Sequence, residues 1–119
     1  MGIYWRALLK LSGEALSGDK GYGLDPVSIE GFCDEIGEVL NLGCQIGIVV
    51  GGGNFIRGTN LEKYGIERQR GDYMGMVATY INALAIEDFL QRKGIRTRIY
   101  GALKVEKIAE RWDRERMID

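Results

Sequence analysis

The chain has 119 residues, a formal net charge of −1 and no histidine. That length fits one domain with a sizeable core, and the interspersed charges leave no basic stripe for gripping nucleic-acid phosphates. The missing imidazoles remove histidine acid–base chemistry, Ser-His-Asp triads and most zinc sites.

In chain order, residues 4–11 read as a first strand. Its centre, Ala7-Leu8-Leu9, is apolar on both faces, as in a covered parallel sheet. Lys10 then stands just before Ser12-Gly13, where it reads equally as a ligand for a phosphate or as a solvated lysine at a strand edge. Glu14-Ala15-Leu16 begins a helical turn whose free amides favour an anion. The glycines of residues 18–23 mark a loop or short hairpin. Asp25-Pro26 opens a helix, with Asp25 as N-cap and proline at the first helical position. Ile29, Phe32, Cys33, Ile36, Val39 and Leu40 form its apolar stripe, and Gly43 stops it. The two cysteines, Cys33 and Cys44, sit in apolar context without metal-ligand spacing and read as buried, reduced thiols.

Ile46-Gly47-Ile48-Val49-Val50 reads as a buried strand, which completes a βαβ unit and predicts a parallel sheet. It delivers Gly51-Gly52-Gly53-Asn54, then Arg57-Gly58, to the carboxyl edge, where open α/β folds bind ligands. Glycines let backbone amides approach a phosphate and arginine adds a charged fork, so the expected ligand is anionic and phosphorylated; the bland alternative is a turn that only reverses the chain. The spacing is neither a Walker A loop nor the dinucleotide G-x-G-x-x-G fingerprint.

Residues 59–70 are mixed and polar, anchored by Leu61, Tyr64 and Ile66. A long helix is expected from Gly71-Asp72-Tyr73 to about Lys93, with Gly94 as its stop. Asp72 is either its N-cap or a hydrogen-bonding partner for a ligand hydroxyl. Met74, Val77, Ile81 and Leu84 form one apolar stripe and Tyr73, Met76, Tyr80 and Ala83 another. A helix apolar on two sides must bury both, which predicts a homo-oligomer. Residues 96–100 read as a third strand, and residues 104–112 as amphipathic or extended. Trp112 reads as a core anchor, with stacking on a base as the alternative. Asp113 reads as an N-cap, with Met117-Ile118 as the first buried positions of a helix that has no stop signal. The 119 residues are therefore expected to be the front part of a longer protein. No apolar run reaches membrane-span length and no secretory leader is recognisable, so the expectation is a cytoplasmic protein without a membrane partner.

Three blocks, Lys10-Leu11-Ser12-Gly13-Glu14-Ala15-Leu16, Gly51-Gly52-Gly53-Asn54 with Arg57-Gly58, and Gly71-Asp72-Tyr73-Met74-Gly75-Met76, closely resemble the bacterial uridylate kinase (UMP kinase) family of the amino acid kinase superfamily. The resemblance spans essentially the whole chain and, with the blocks in family order, is specific. It implies an α/β three-layer sandwich with a mainly parallel sheet, of which residues 1–119 supply the N-terminal, acceptor-nucleotide-binding half. It implies transfer of a phosphoryl group from ATP to UMP, with Mg²⁺ accompanying ATP.

By match, Lys10, Leu11, Ser12, Gly13, Gly53 and Arg57 would lie at ATP, with Lys10 and Arg57 serving the transfer, while Gly52 and Asp72 would serve UMP. No metal ligand can be named in this half. Gly18, Asp19, Lys20, Gly21, Tyr22 and Gly23 match a segment tied to activation by GTP. Glu87 and Gln91 stand where some GTP-responsive members carry Arg and His, although Arg98 matches a basic position. Family members usually form hexamers built from dimers and are about twice as long, so the chain alone is expected to be a weak or inactive enzyme. The rival readings are another superfamily kinase, acting on carbamate, acetylglutamate, aspartate or isopentenyl phosphate, or a non-catalytic relative that binds nucleotides or anions or only oligomerises.

Overall fold

The computed structural model describes residues 6–56, 58–101, 103–107 and 109–118. Among these, two strands form a parallel sheet: β1, Arg6–Leu11, and β2, Gln45–Val50. The pairing runs in register from Arg6 opposite Gln45 to Leu11 opposite Val50. Residues 4 and 5 of the expected first strand lie outside the described residues. The crossover is α1, Pro26–Asn41. It starts where the sequence says it should: the Asp25 carboxylate accepts from the Ser28 amide at 3.1 Å and from the Ser28 hydroxyl at 2.7 Å. Those two bonds hold the Asp25 carboxyl below its ordinary range. Gly43, at φ +87°, turns the chain out of the helix in a conformation that suits glycine.

The core lies between β2, α1 and the long helix α3, Arg68–Arg92. Leu16, Ile29, Cys33, Ile36, Ile86 and Leu90 are its buried members, with Leu11, Ile46, Ile48 and Val50 facing it from the sheet. Burial also pushes the Cys33 thiol above its ordinary pKa, which keeps it protonated and inert. At the far end of α3, Lys93 reaches Asp34 of α1 at 2.5 Å and Glu30 at 3.6 Å, and these carboxylates hold its ammonium above the usual lysine pKa. The sheet and one helical layer of the α/β sandwich are thus in place. The opposite sheet face carries Leu8, 71 % exposed, and Val49, 50 % exposed.

Several expectations are corrected. The long helix begins at Arg68, one turn before the Gly71-Asp72-Tyr73 start. Glu67 is at its N-cap without a side-chain bond, and Asp72 lies inside the helix, exposed, so it is no cap. The polar stretch before it holds a short helix, α2, Gly58–Lys63, and Tyr64 is exposed rather than an anchor. The face of α3 that is buried carries Ala78, Asn82, Ile86 and Leu90, which belongs to neither expected stripe. Met74, Val77, Ile81 and Leu84 all lie exposed.

Residues 96–100 form no strand. Together with β2 and α3 they line a cleft of about 900 Å³, without the ladder bonds that a paired strand makes. Near them the Tyr80 hydroxyl donates to the Leu103 carbonyl and accepts from the Leu103 amide, which fixes Leu103 as a buried residue. Beyond it come a single 3-10 turn, Val105–Lys107, and α4, Arg114–Ile118. Asp113 does cap α4, accepting from the Glu115 amide at 3.0 Å. Trp112, Met117 and Ile118 were expected in the core, yet they are 72 %, 66 % and 72 % exposed, because no described element packs over them.

Candidate functional site

Parallel pairing makes both strands end at the same sheet edge. Leu11 and Val50 are partners, and the Gly51 amide donates to the Leu11 carbonyl at 2.9 Å. The chain leaves this edge twice, into a 3-10 turn at Gly13–Leu16 and into the glycine loop 51–56. Ser12 caps the 3-10 turn by accepting from the Glu14 amide at 3.2 Å. Accepting there leaves the Ser12 hydroxyl proton available to an anionic oxygen. Lys10 lies on the outer side of the sheet, exposed, and among the described residues no ion pair or side-chain hydrogen bond ties down its ammonium.

The glycines are fixed by contact. A Cβ on Gly13 would lie 2.6 Å from Asn54 Oδ1, 2.7 Å from the Gly51 carbonyl and 2.9 Å from the Gly53 nitrogen. Gly13 is therefore glycine because two backbone segments meet there. A Cβ on Gly52 would lie 2.8 Å from Ala78 Cβ and 3.1 Å from the Gly75 carbonyl, so Gly52 rests directly on α3. Asp72 is about one helical turn before Gly75 and about 9 Å along the helix from Ala78. The loop closes on itself with Phe55 and Ile56 amides donating to the Gly52 carbonyl, both at 3.0 Å. Among the described residues the amides of Gly13, Gly52 and Gly53 donate to no protein acceptor.

Beneath the loop lies a pair of side chains of which the sequence motif contains one, Asn54, while sequence reasoning missed the other, Asn82. Asn54 and Asn82 are buried and bond each other through both amides: Asn54 Nδ2 donates to Asn82 Oδ1 at 2.9 Å, and Asn82 Nδ2 donates to Asn54 Oδ1 at 2.7 Å. Asn82 also donates to the Gly51 carbonyl at 2.7 Å, and Asn54 to the Gly23 carbonyl at 2.9 Å. The available signal was a lone asparagine in line with Ala78, Ile86 and Leu90 at fourfold spacing. A polar side chain on such a stripe must find buried partners.

The structure thus brings Lys10, Leu11, Ser12, Gly13, Gly52 and Gly53 to one edge, with Asp72 about one helical turn before Gly75. Residues 18–23 form a 3-10 turn, Gly18–Lys20, and a bend rather than a hairpin. Their end reaches the same loop, where the Gly23 amide donates to the Asn54 carbonyl at 2.8 Å. Lys20 stacks over Tyr22 at 5.9 Å from the ring centre. Arg57 lies outside the described residues. Among the described residues no three His, Cys, Asp or Glu side chains form a cluster able to hold a metal ion. The Ser12 hydroxyl and the amides of Gly13, Gly52 and Gly53 are donors suited to phosphate oxygens, and Lys10 stands one residue before the edge; the Glu14 carboxylate also lies there, 3.0 Å from where a Cβ on Gly53 would be.

This βαβ edge with its glycine loop is that of the amino acid kinase family, and the chain belongs to that family: its profile matches residues 5–118. A curated uridylate kinase of Alcanivorax borkumensis is 48 % identical over 110 residues, which cover 92 % of this chain and 44 % of the relative. Solved UMP kinases share the fold. That of Bacillus anthracis superposes with a TM-score of 0.80 at 34 % identity, covering 97 % of this chain and 48 % of the neighbour. That of Ureaplasma parvum gives 0.79 at 28 % identity, covering 98 % and 51 %. The chain spans about half the length of these proteins. Among the described residues no helix is long and apolar enough to cross a membrane.

Proposed function

We propose that this chain carries the acceptor side and part of the phosphate cradle of a kinase that moves the γ-phosphoryl group of ATP to UMP, giving UDP. The observation that supports the reading is the meeting of the Ser12-Gly13 turn and the glycine loop at one sheet edge, with Lys10 exposed at the end of β1. In the reaction an oxygen of the UMP phosphate attacks the γ-phosphorus; that P–O bond forms, the bond to the β–γ bridging oxygen breaks, and ADP leaves with the electron pair. The acceptor oxygen is already anionic, so no strong general base is required and positioning with charge stabilisation carries the catalysis.

In this scheme the Lys10 ammonium offsets charge on the group in flight. The Ser12 hydroxyl and the amides of Gly13 and Gly53 hold ATP phosphate oxygens. The Gly52 amide holds the UMP phosphate, and Asp72 accepts from a ribose hydroxyl. Arg57 would add a planar fork at the transferring phosphate. The donors on this edge do not fit a protein-held cation, so Mg²⁺ would enter as the partner of ATP, and no step here runs through it. The exposed stripe Met74, Val77, Ile81 and Leu84 suits a second copy of the chain. Glu87 and Gln91 depart from the GTP-responsive pattern, while Arg98 and the segment from Gly18 to Gly23 keep it, so GTP stands as a candidate effector whose control these departures weaken.

The test is calorimetric titration of the purified chain with ATP, UMP and the rival acceptors carbamate, acetylglutamate, aspartate and isopentenyl phosphate, with ADP release followed in parallel. The expected result is saturable binding of ATP and UMP with little or no turnover. Preference for a rival acceptor, or no nucleotide binding, would overturn the assignment. Robust UMP-dependent ADP release would overturn the partial-site reading.

A further inference from the structure

The reaction scheme gives the Asn54–Asn82 pair no role, although its bonding is complete. Each side-chain amide offers two N–H donors, and all four are used: on Gly23, on Gly51 and twice between the two residues. Both residues are sealed from solvent, Asn54 at 2 % exposure and Asn82 at 0 %. Turning either amide over would set oxygen against the Gly51 or Gly23 carbonyl, so only one orientation of each is tolerated. Asn54 Oδ1 also lies directly under Gly13, where a Cβ would come within 2.6 Å of it. The pair therefore touches the glycine loop and the Ser12-Gly13 turn from below, while remaining out of reach of anything bound above them.

We propose that Asn82 is the positioning residue of this edge: from the rigid helix α3 it holds Gly51 and Asn54, and so fixes the one arrangement of the loop in which the Gly52 and Gly53 amides can share a phosphorylated ligand. The ligand half of this inference rests on the nucleotide reading above; the loop half stands without it. A loop released from the pair spends part of its time in other arrangements, and apparent affinity falls by the fraction that remains competent.

The experiment compares three purified 119-residue chains, wild type, Asn82→Leu and Ile86→Ala, by UMP titration and by the backbone amide resonances of Gly52 and Gly53. Leucine keeps the branched heavy-atom shape of Asn82, with somewhat larger methyl groups, and removes its bonds. Ile86 is one turn along the same buried face of α3 and bonds nothing in the loop. Asn82→Leu is expected to weaken UMP binding about tenfold or more, and to broaden or double both glycine resonances. Ile86→Ala is expected to melt earlier yet keep wild-type affinity and single sharp resonances. Asn82→Ser, which retains one short donor, serves if the leucine variant does not fold, with the same changes expected to a smaller degree.

Unchanged resonances in the folded Asn82 variant would overturn the inference. So would equal weakening by Ile86→Ala, since affinity would then follow stability alone. If the wild type binds no UMP, the nucleotide reading falls, and the resonances still decide whether Asn82 sets the loop.

Discussion

On the helical side of the sheet Leu16, Ile29 and Cys33 are at most 1 % exposed, and the polar residues buried among them, Ser17, Asn54 and Asn82, leave no side-chain donor or acceptor without a partner. On the outer side Leu8 and Val49 stand in solvent, and from Gly94 onward Ile99, Tyr100, Trp112, Met117 and Ile118 are exposed. The same chain therefore has one finished region and one open one. Strands apolar on both faces belong to sheets covered on both faces, yet these residues cover only one. The finished region is also where the proposed ligand-binding edge lies. Packing quality and site construction go together: the glycines fit because Asn54, Ala78 and the Gly51 backbone press against them.

The contrast orders the expected effects of substitution. Leu16→Ala removes a fully buried side chain beneath the 3-10 turn and should cost about 2–5 kcal/mol in chemical denaturation. Gly13→Ala forces a Cβ onto backbone that cannot withdraw; it should cost about 1–3 kcal/mol and abolish nucleotide binding measured by calorimetry.

Asp25→Ala should lower the melting temperature by less than either, and its effect should depend on pH. The Asp25 carboxyl is held low by Ser28, so its folded pKa is below its unfolded one, about 3.9. Its contribution is therefore complete above that value and lost as pH falls through the folded pKa, and the variant's deficit should shrink on acidification. Lys93 runs the opposite way. Its raised pKa means the tie to Asp34 contributes fully below the unfolded value of about 10.4 and is lost as pH rises through the folded one. In the open region Trp112→Ala should change stability by no more than about 0.5 kcal/mol. A large loss there would show that the outer region is packed after all.

The finished region was also the legible one. Asp25-Pro26, the stop at Gly43 and most of the stripe from Ile29 to Leu40 carry local instructions that tertiary packing agrees with. Val39 of that stripe is 38 % exposed, and the run before Gly51, read as buried, packs on one face only, with Val49 in solvent. The three motif blocks placed the glycine loop and the Ser12-Gly13 turn on one edge. Asn82 escaped because its partners, Gly51 and Asn54, are about thirty residues away, and a polar residue on a helix stripe names no partner by itself. The start of α3 was misplaced because Asp72 has cap chemistry, whereas the observed start at Glu67 uses no side-chain cap at all. Residues 96–100, Trp112 and Met117-Ile118 were misread for a different reason. Their alternation and apolarity state what a segment would do against a partner surface, and among the described residues that surface is missing.

Amide hydrogen exchange of the purified chain with and without saturating UMP and ATP examines both regions in one experiment. Nucleotide should slow exchange in peptides covering residues 10–16 and 51–56, while peptides covering residues 95–101 and 109–118 exchange quickly and unchanged. Protection confined to residues 95–118, or no response at the glycine loop at saturating nucleotide, would contradict the placement of the site on the finished edge.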